Sequence, residues 1–455
     1  MIDKERLLTH SLRAHPHGHT VAEIMAAALN AVDPAQAVQR ALRRDGDAVV
    51  VGERRYEQIR RVIVVGAGKA GAPMAYAAVA VLGEQVHGGV VVVKEGHFGA
   101  THGRVGPVTL LEGAHPVPDK RNPQAAHQMA AVLHGLEADD LVLVLVSGGG
   151  SALLTLPAPG LTLADLQALT DALLRCGASI GEINTLRKHC TALGGGQLAR
   201  LAAPAQVAAL IVSDVIGSPL DVIASGPTAP DPSTFADAWA IVQRYNLGVT
   251  LPSAIITRLR QGMAGDHAET PKADDPLWTR VHNHLIASNV IAAEAAVEAA
   301  RERGFHAMLL TTFLEGEARE IGRVAAAMAR ELALRNAPLA RPALLVVGGE
   351  TTVTVRGNGR GGRNQEVVLG AVDGIAGLHN VLVVALATDG GDGPTDAAGA
   401  VATGTTRARA EALGLNLHAH LAHNDAYNFF VPLHDLLLPG PTLTNVNDLL
   451  FIAAL

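Results

Sequence analysis

The stretch RVIVVGAGKAGAPMAYAAVAVL, residues 61–82, decides the fold class of this 455-residue chain. Its first part is a continuous apolar run, 62–65, of the kind found in strands that are buried on both faces. A glycine-rich turn then leads into an Ala-rich stretch, 70–82, which predicts a helix. A buried strand, a tight turn and a helix form the repeating unit of α/β folds, so we expect parallel strands joined by crossover helices.

The same alternation continues along most of the chain. Strands are expected at 62–65, 90–93, 108–111, 141–146, 207–212, 307–310, 343–347, 351–355 and 381–387. Helices are expected at 20–44, 70–82, 123–136, 162–174, 182–201, 317–334, 363–375 and 405–413, and from the N-cap Ser288 to Gly304. The sequence TVTV after the turn at 347–351 predicts a hairpin, and TNVNDLLFIAAL, 444–455, predicts a last strand that joins either sheet.

The chain is long enough for two or three domains. Residues 262–278, GMAGDHAETPKADDPLW, lose the alternation and are typical of a linker. We therefore expect an N-terminal Rossmann-like α/β domain, 1–255, and a C-terminal α/β domain, 256–455. Both should have largely parallel sheets flanked by helices.

Composition excludes several function classes. The net charge is -7 without basic runs, which is unlike a nucleic-acid binder, and 49% hydrophobic against 17% charged residues favours large buried cores. The apolar stretches are too short to span a bilayer, and the N-terminus has no apolar export segment. Two cysteines without a disulfide pattern fit a reducing compartment. These observations predict a cytoplasmic protein without membrane or nucleic-acid partners.

The first glycine motif has the dinucleotide-binding spacing. Gly66, Gly68 and Gly71 follow a strand and precede a helix, and Glu95 ends the next expected strand. Lys69 inside the loop adds a point charge that suits a phosphate better than a pyrophosphate already held by amides. Three interpretations stay open here: a phosphate site, a nicotinamide-nucleotide site, and a plain tight turn.

The second glycine motif, SGGGS, follows the expected strand 141–146. Its members are Ser147, Gly148, Gly149, Gly150 and Ser151. Three glycines leave no side chain between the backbone amides and a ligand, so the motif predicts an anion-binding loop. A hydrolase nucleophile at Ser151 is disfavoured, because Leu153 stands where G-x-S-x-G requires glycine.

Three further residues in the first half carry charge. Arg187 and Lys188, on an expected helix, form either a clamp for an acidic substrate or a solvated face. Asp214 follows a strand and is either a ligand of Mg²⁺ or ribose, or a turn-forming residue.

The second half supplies a cationic loop and a carboxylate loop. Glu350 follows a strand, and Arg363 and Asn364 begin a helix after a Gly- and Arg-rich loop, an arrangement suited to phosphoryl oxygens. Asp389 and Asp392 follow another buried strand, where carboxylates bind a hard cation or accept a hydroxyl proton, or else form Asx-turns.

Six segments together resemble the class II glycerate 2-kinases, the MOFRL family, whose members were formerly labelled hydroxypyruvate reductases. They are VVGAGKAGAPMA, LVSGGGSALL, INTLRKH, SDVIGSPLDVIASGPTAPDP, GGETTVTVRGNGRGGRNQE and TDGGDGPTDAAGA. The resemblance implies ATP-dependent phosphorylation of D-glycerate to 2-phosphoglycerate, a divalent metal, and an active site in the cleft between two α/β domains. It also implies that Lys69 and Arg363 are catalytic.

The remaining site expectations follow from the residues themselves. Asp389 is expected in catalysis. Nucleotide or substrate binding is expected at Gly66, Gly68, Ser147–Ser151, Arg187, Asp214, Asn289, Glu350 and Asn364, and Mg²⁺ binding at Asp214, Asp389 and Asp392. The expected partners are D-glycerate and ATP, and a homodimer is compatible with the sequence. An NAD(P)-dependent hydroxypyruvate reductase and a non-catalytic nucleotide or sugar-phosphate sensor remain the alternatives.

Overall fold

The computed structural model describes residues 2–98 and 103–455. The strands are β1 (Leu42–Asp45), β2 (Ala48–Val51), β3 (Arg54–Tyr56), β4 (Arg61–Ala67), β5 (Val86–Lys94), β6 (Arg104–Val105), β7 (Val108–Gly113), β8 (Asp140–Val146), β9 (Gln206–Val212), β10 (Val281–Ala287), β11 (His306–Leu314), β12 (Ala343–Gly349), β13 (Val381–Ala387), β14 (Gly399–Thr403), β15 (Leu436–Leu437) and β16 (Asp448–Ala454).

The helices lie mostly between these strands, as the alternation predicts. They are α1 (His10–Ala14), α2 (Gly18–Ala31), α3 (Pro34–Ala41), α4 (Gly71–Leu82), α5 (Arg121–Val132), α6 (Gly150–Leu153), α7 (Leu163–Arg175), α8 (Ile180–Cys190), α9 (Gln197–Ala202), α10 (Phe235–Arg244), α11 (Ser253–Ala264), α12 (Asn289–Glu302), α13 (Ala318–Arg335), α14 (Arg363–Ile375), α15 (Thr406–Ala412), α16 (Leu417–Ala422) and α17 (Ala426–Phe430). None of the helices in the described ranges is long and apolar enough to cross a membrane.

The chain divides into two compact units, each with its own sheet. The first-sheet unit comprises Pro34–Ser213 and Ser218–Ile286, and the second-sheet unit comprises residues 2–33, Asp214–Gly217 and Ala287–Leu455. This division differs from the expected domains 1–255 and 256–455. The N-terminal helices belong to the second-sheet unit because Ser11 binds Asp435 there, with its amide 2.7 Å from Oδ1.

The segment 262–278 lies inside the first-sheet unit, so it is not the expected interdomain linker. Helix α11 continues to Ala264 and packs in one apolar cluster with α7, α8 and α10. The irregular residues that follow are held by buried polar contacts, since Thr270 Oγ1 donates to Asp231 Oδ2 at 2.9 Å. Strand β10 then adds to the first sheet.

The first sheet confirms the expected parallel strands. Its order is β10-β9-β8-β4-β5-β7-β6, and the pairs from β9 to β7 are all parallel, whereas β6 pairs with β7 in the antiparallel direction. Chain order reverses between β4 and β8, whose last residues Ala67 and Val146 lie opposite each other. In such sheets ligands bind outside the carboxyl ends of the strands at this reversal point.

The second sheet is mostly antiparallel, so the expectation of a largely parallel sheet is wrong for it. The order is β11-β12-β16-β13-β14-β15, and β11 with β12 is a parallel pair. Strand β16 runs antiparallel between β12 and β13, and β14 is antiparallel to β13 because no crossover helix separates them. The last strand, which the sequence left open, thus lies in the middle of this sheet.

Three local expectations are also wrong. Residues 351–355 form no hairpin, because Thr352 instead donates its amide to Gly316 O at 2.8 Å. The expected helix 20–44 is interrupted before Pro34, since the residue preceding a proline disfavours helical geometry. The expected helix 182–201 is split between α8 and α9 by Gly194–Gly196.

Candidate active site

The glycine loop after β4 is closed by the protein itself. Each amide from Gly68 to Gly71 already donates to a protein acceptor: Gly68 to Val92 O (3.0 Å), Lys69 to Gly148 O (2.9 Å), Ala70 to Ser147 Oγ (3.0 Å) and Gly71 to Gly68 O (3.1 Å). These amides therefore have no hydrogen left for a pyrophosphate.

The glycines of this loop serve close packing instead. A Cβ on Gly68 would lie 2.0 Å from Ser147 Oγ, and one on Gly66 would lie 2.2 Å from Leu145 O. Gly68 also has a φ of +146°, which glycine adopts without strain. The expectation that Gly66 and Gly68 bind nucleotide phosphate through the loop amides is thus not supported by the geometry.

The SGGGS loop after β8, by contrast, presents unused donors. Within the described part of the chain, the amides of Gly148, Gly149 and Ser151 donate to no protein acceptor. Gly149 has a φ of +84° and precedes the short helix α6. Successive backbone N–H groups in such a turn form a concave anion-binding site. The loop is therefore suited to a phosphate or a carboxylate.

Ser147 fixes the SGGGS loop through two buried hydrogen bonds. This side chain is 2% exposed, and its Oγ accepts the Ala70 amide, while its own amide donates to Ala67 O at 3.1 Å. Ser147 therefore positions the two glycine loops against each other. Gly150 also has a packing role, since a Cβ there would lie 2.6 Å from Ala224 Cβ.

Basic groups surround the unused amides. Lys69 is half-buried and forms no ion pair with any described residue. Burial, followed by the positive charges of Lys69, Lys94 and His97, lowers the pKa of His115 to about 4. The ring of His115 lies beside Gly149, where a Cβ would be 3.1 Å from its Nε2. These residues give the loop a positive field that favours an anion.

The sequence did not single out His115, and it did not find Ser225. Ser225 Oγ lies 3.0 Å from Ser151 Oγ and 3.4 Å from Asn184 Oδ1. Ala224 and Ser225 have φ values of +50° and +61°, which are strained for residues other than glycine. Such strain is common at ligand-binding sites, but no local sequence pattern predicts it.

A second triple glycine, Gly194–Gly196, holds the strained segment at Ala224 and Ser225 in place. Gly195 and Gly196 donate their amides to Ser225 O and Gly226 O, each at 2.7 Å. Both glycines have positive φ, +57° and +79°. Gly194–Gly196 therefore fix the backbone that carries Ser225.

The two basic residues of α8 have different roles. Lys188 is 4% exposed, and its Nζ lies 3.3 Å from Asp231 and 3.4 Å from Asp221, so it is a buried structural cation. Arg187 contacts Thr170 Oγ1 at 3.4 Å but no carboxylate in the described residues, and burial lowers its pKa. Arg187 is consequently the member of the pair that can still bind an anion.

In the second-sheet unit, Arg363 is the centre of a charged cluster. It is the first residue of α14, and its Nε and Nη2 donate to Asp448 at 2.5 and 3.1 Å. Its Nη1 lies 2.7 Å from Glu350 Oε1. Burial opposes its charge, but the bonds to Asp448 and the attraction of both carboxylates raise its pKa above the ordinary value.

Asp448 is a site residue that the sequence did not predict. It begins β16 and lies directly between Gly349 of β12 and Ala387 of β13. The antiparallel insertion of β16 thus brings an acidic side chain to the same sheet edge as Glu350 and Asp389. The aspartate before LLFIAA was the available signal, but its meaning depended on the strand position.

Further carboxylates face this cluster. Burial raises the pKa of Glu350, and the negative charges of Asp448, Asp214 and Asp389 raise it further, although Arg363 opposes them. Asp214 and Asp389, which the sequence placed after two different strands, are therefore close enough to Glu350 to interact electrostatically. The cluster carries more negative charge than Arg363 alone compensates.

Asp392 and Asn289, predicted as a metal ligand and a binding residue, both make buried hydrogen bonds. Asp392 is 2% exposed and accepts hydrogen bonds from the amides of Asn364 and Gln365 at 3.2 and 2.9 Å, so it caps α14. The side-chain amide of Asn289 donates to Val446 O at 2.8 Å and to Asp448 O at 2.9 Å. Asn364 is 3% exposed and lies beside Asp392.

The described ranges contain no group of three or more His, Cys, Asp or Glu side chains arranged to hold a metal ion. A divalent cation here would therefore depend on few protein ligands together with bound phosphate and water, as is usual for Mg²⁺.

Comparison with known proteins identifies relatives over nearly the whole chain. Residues 20–260 match the family described as domain of unknown function DUF4147, and residues 343–448 match the MOFRL family. The D-glycerate 2-kinase of Thermotoga maritima is 41% identical over 428 residues, covering 94% of this chain and 96% of that protein. A putative hydroxypyruvate reductase of Agrobacterium vitis is 44% identical and covers 86% of each chain.

Two solved structures are also similar to this chain over nearly its whole length. The crystal structure of the Thermotoga maritima glycerate kinase has a TM-score of 0.86 and 40% identity, and it covers 95% of this chain and 98% of that one. A crystal structure of a Pyrococcus horikoshii protein has a TM-score of 0.87 and 40% identity, with coverage of 95% and 97%.

Proposed function

This chain belongs to the class II glycerate 2-kinases, which combine DUF4147 with MOFRL, and we propose how its residues phosphorylate D-glycerate at the 2-hydroxyl with ATP. The observation that carries the mechanism is the SGGGS loop. Three unused amides lie beside Lys69, a cation without a carboxylate partner in the described residues. Such a site favours the negatively charged groups that phosphoryl transfer brings together.

Phosphoryl transfer requires mainly alignment and neutralisation of charge on the moving group. Lys69 supplies a positive charge next to the anion loop. Arg363 supplies a guanidinium whose direction is fixed by Asp448 and Glu350. We propose that Lys69 and Arg363 both neutralise charge on the transferring phosphoryl group.

The strand order of the first sheet supports a ligand site at the SGGGS loop. Along the sheet, β7, β5, β4, β8, β9 and β10 follow the order 3-2-1-4-5-6 of doubly wound dinucleotide folds. The reversal point lies between β4 and β8, whose following loops contain Lys69 and the SGGGS motif. The ligand crevice predicted by strand order thus coincides with the unused amides.

The roles of the remaining residues follow from their contacts. The amides of Gly148, Gly149 and Ser151 take a phosphate or the substrate carboxylate, and Arg187 offers a second cation to the acidic substrate. Asn364, at the start of α14, supports the orientation of Arg363 through Asp448.

A magnesium ion fits the carboxylates of the second-sheet unit. Burial raises the pKa of Glu350, and neighbouring negative charges raise it further; a bound cation would offset that repulsion. Asp389 and Asp214, two of the carboxylates expected to bind the ion, would hold it together with phosphate and water. Bound Mg²⁺ would neutralise phosphate charge. The second role expected for Asp389, accepting the proton of the 2-hydroxyl, is the alternative to metal binding.

The reductase alternative rests on the glycine fingerprint and on relatives that carry that name. Two observations disfavour it. The amides of the fingerprint loop are already bonded within the protein, and Glu95, which would bind a ribose, is exposed and pairs with Arg121 at 2.8 Å.

One experiment separates the candidate functions. The purified protein is incubated with ATP, Mg²⁺ and D-glycerate while ADP is measured, and separately with NADH and hydroxypyruvate while absorbance at ~340 nm, the NADH band, is followed. We expect ADP and 2-phosphoglycerate, separated chromatographically from 3-phosphoglycerate. NADH oxidation without ADP would refute the kinase, and binding without turnover in both assays would indicate a sensor.

A further inference from the structure

The imidazole of His115 lies beside the SGGGS loop and has no role in the mechanism proposed above. A Cβ placed on Gly149 would lie 3.0 Å from His115 Cδ2, 3.1 Å from its Nε2 and 3.6 Å from Lys69 Cγ. The imidazole and the lysine stem therefore border the same point as the unused amides. Neither ring nitrogen of His115 bonds to another residue in the described part of the chain.

The surroundings of His115 keep its ring neutral. It follows β7, and the charged groups that face it come from the two neighbouring loops: Lys69 after β4, and Lys94 and His97 at the end of β5. Burial and these positive charges together lower its pKa to about 4. Neutral imidazole has one donor and one acceptor nitrogen, so His115 can accept a hydrogen bond where a lysine or a protonated histidine cannot.

A 2-hydroxy acid matches this combination of groups. Its carboxylate needs amide or cationic donors, and its hydroxyl, one carbon away, needs an acceptor. The amides of Gly148, Gly149 and Ser151 supply the first requirement. The acceptor nitrogen of His115, beside Gly149, supplies the second without adding a negative charge that would repel the incoming phosphoryl group.

We propose that His115 is a catalytic residue that accepts the proton of the substrate's 2-hydroxyl while the substrate carboxylate occupies the SGGGS amides. This inference rests on the proposed kinase function. The hydroxyl oxygen forms a bond to the γ-phosphorus of ATP as the bond to the bridging oxygen breaks, and ADP leaves with that electron pair. The hydroxyl proton passes to His115, which later releases it to solvent. Asp389 is then left as a magnesium ligand.

Ligand binding strengthens His115 as a base at the required moment. The carboxylate of D-glycerate and the phosphates of ATP are negative, so they offset the field of Lys69 and Lys94 that lowers the pKa of His115. The pKa in the ternary complex is consequently higher than in the free protein, and proton affinity rises when both substrates are present.

The first test is kinetic. His115→Gln keeps a polar side chain but cannot accept a proton, and we expect kcat to fall by about 10²- to 10³-fold, the range for loss of a general base, with KM for D-glycerate changed only a few-fold. The matched control is the exposed His134, which lies after α5. His134→Gln should keep kcat within twofold, and circular dichroism should show that both variants are folded.

The second test does not depend on activity. In protein labelled with ¹³C at histidine Cε1, the His115 resonance is the one lost in His115→Gln. We expect it to titrate near pH 4 in the free protein and at higher pH when D-glycerate is added. Lys94→Gln should also raise its midpoint.

The outcomes separate this inference from the kinase function. If His115→Gln retains kcat within threefold while Lys69→Met is inactive, the kinase function stands and the role of His115 is refuted. A His115 resonance that saturating D-glycerate does not shift would also refute it. If the wild type forms no ADP, the proposed function fails before His115 is tested.

Discussion

Replacement of Asp448 by asparagine tests whether the direction of Arg363 matters for the reaction. Asp448→Asn removes a charge but keeps the shape of the side chain. In the structure Asp448 makes two bonds to Arg363, at 2.5 and 3.1 Å, and its side chain is 10% exposed. The variant leaves Arg363 with Glu350, at 2.7 Å, as its remaining partner.

The expected magnitude follows from burial. Removing one member of a fully buried ion pair destabilises a protein by about 3–5 kcal/mol. The Arg363 side chain is 33% exposed, so solvent screens part of its charge, and Glu350 compensates another part. We therefore expect a loss of about 1–3 kcal/mol in the free energy of unfolding. The loss of orientation should lower kcat more strongly, by about 10²-fold.

The assay compares two buried aspartates that both pair with arginine. Asp435 is fully buried and lies 2.8 Å from Arg409 in the same unit. Asp435→Asn should lose at least as much stability in thermal unfolding, but it should keep kcat for D-glycerate within a few-fold. The reasoning is refuted if Asp448→Asn keeps kcat within threefold, or if Asp435→Asn loses as much kcat as Asp448→Asn.

Three further outcomes are expected. Lys69→Met and Arg363→Met should each lower kcat by about 10³-fold in the ADP assay, and changes of only a few-fold would contradict their roles. In Gly149→Ala the new Cβ would lie 3.0 Å from His115 Cδ2, so KM for D-glycerate should rise at least tenfold. Gly160 has a similar φ, but a Cβ there would have no atom within 4 Å, so Gly160→Ala should lower only the free energy of unfolding. Burial raises the pKa of Asp392 to about 6, so the native state holds this proton more tightly than the unfolded state does. The protonated side chain therefore contributes stability below about pH 4, and this contribution is lost as the pH rises to about 6. Urea unfolding should show the wild type losing roughly 3 kcal/mol over this range relative to Asp392→Asn. Equal pH profiles of the two proteins would contradict this.

The first sheet was predictable because its strands are buried on both faces. A strand such as Leu141–Val146 reads as a continuous apolar run in any topology, and the helices between the runs require parallel pairing. The second sheet contains equally apolar runs, but their direction depends on connections. No helix separates β13 from β14, so these strands pair antiparallel, and β16, the last strand in the chain, also pairs antiparallel with both its neighbours. Neither arrangement changes the local composition of the strands.

The candidate site was only partly predictable for a related reason. Arg363 and Glu350 were found separately, since each follows a recognisable strand or loop pattern. Asp448 joins them only because β16 lies between two strands that are distant in sequence. The spacing of Gly66 and Gly68 is that of a nucleotide loop, yet their amides are bonded elsewhere, and hydrogen-bond partners are a property of the folded chain.

The central position of β16 also determines when the second sheet can form during synthesis. β16 follows every other strand of that sheet along the chain, but it supplies the ladder on both its sides. Until the ribosome has released it, β12 and β13 each present an unpaired apolar edge, and such edges readily pair with other chains. The nascent protein therefore passes through a stage in which aggregation competes with folding, and that stage ends when the strand beginning at Asp448 becomes available.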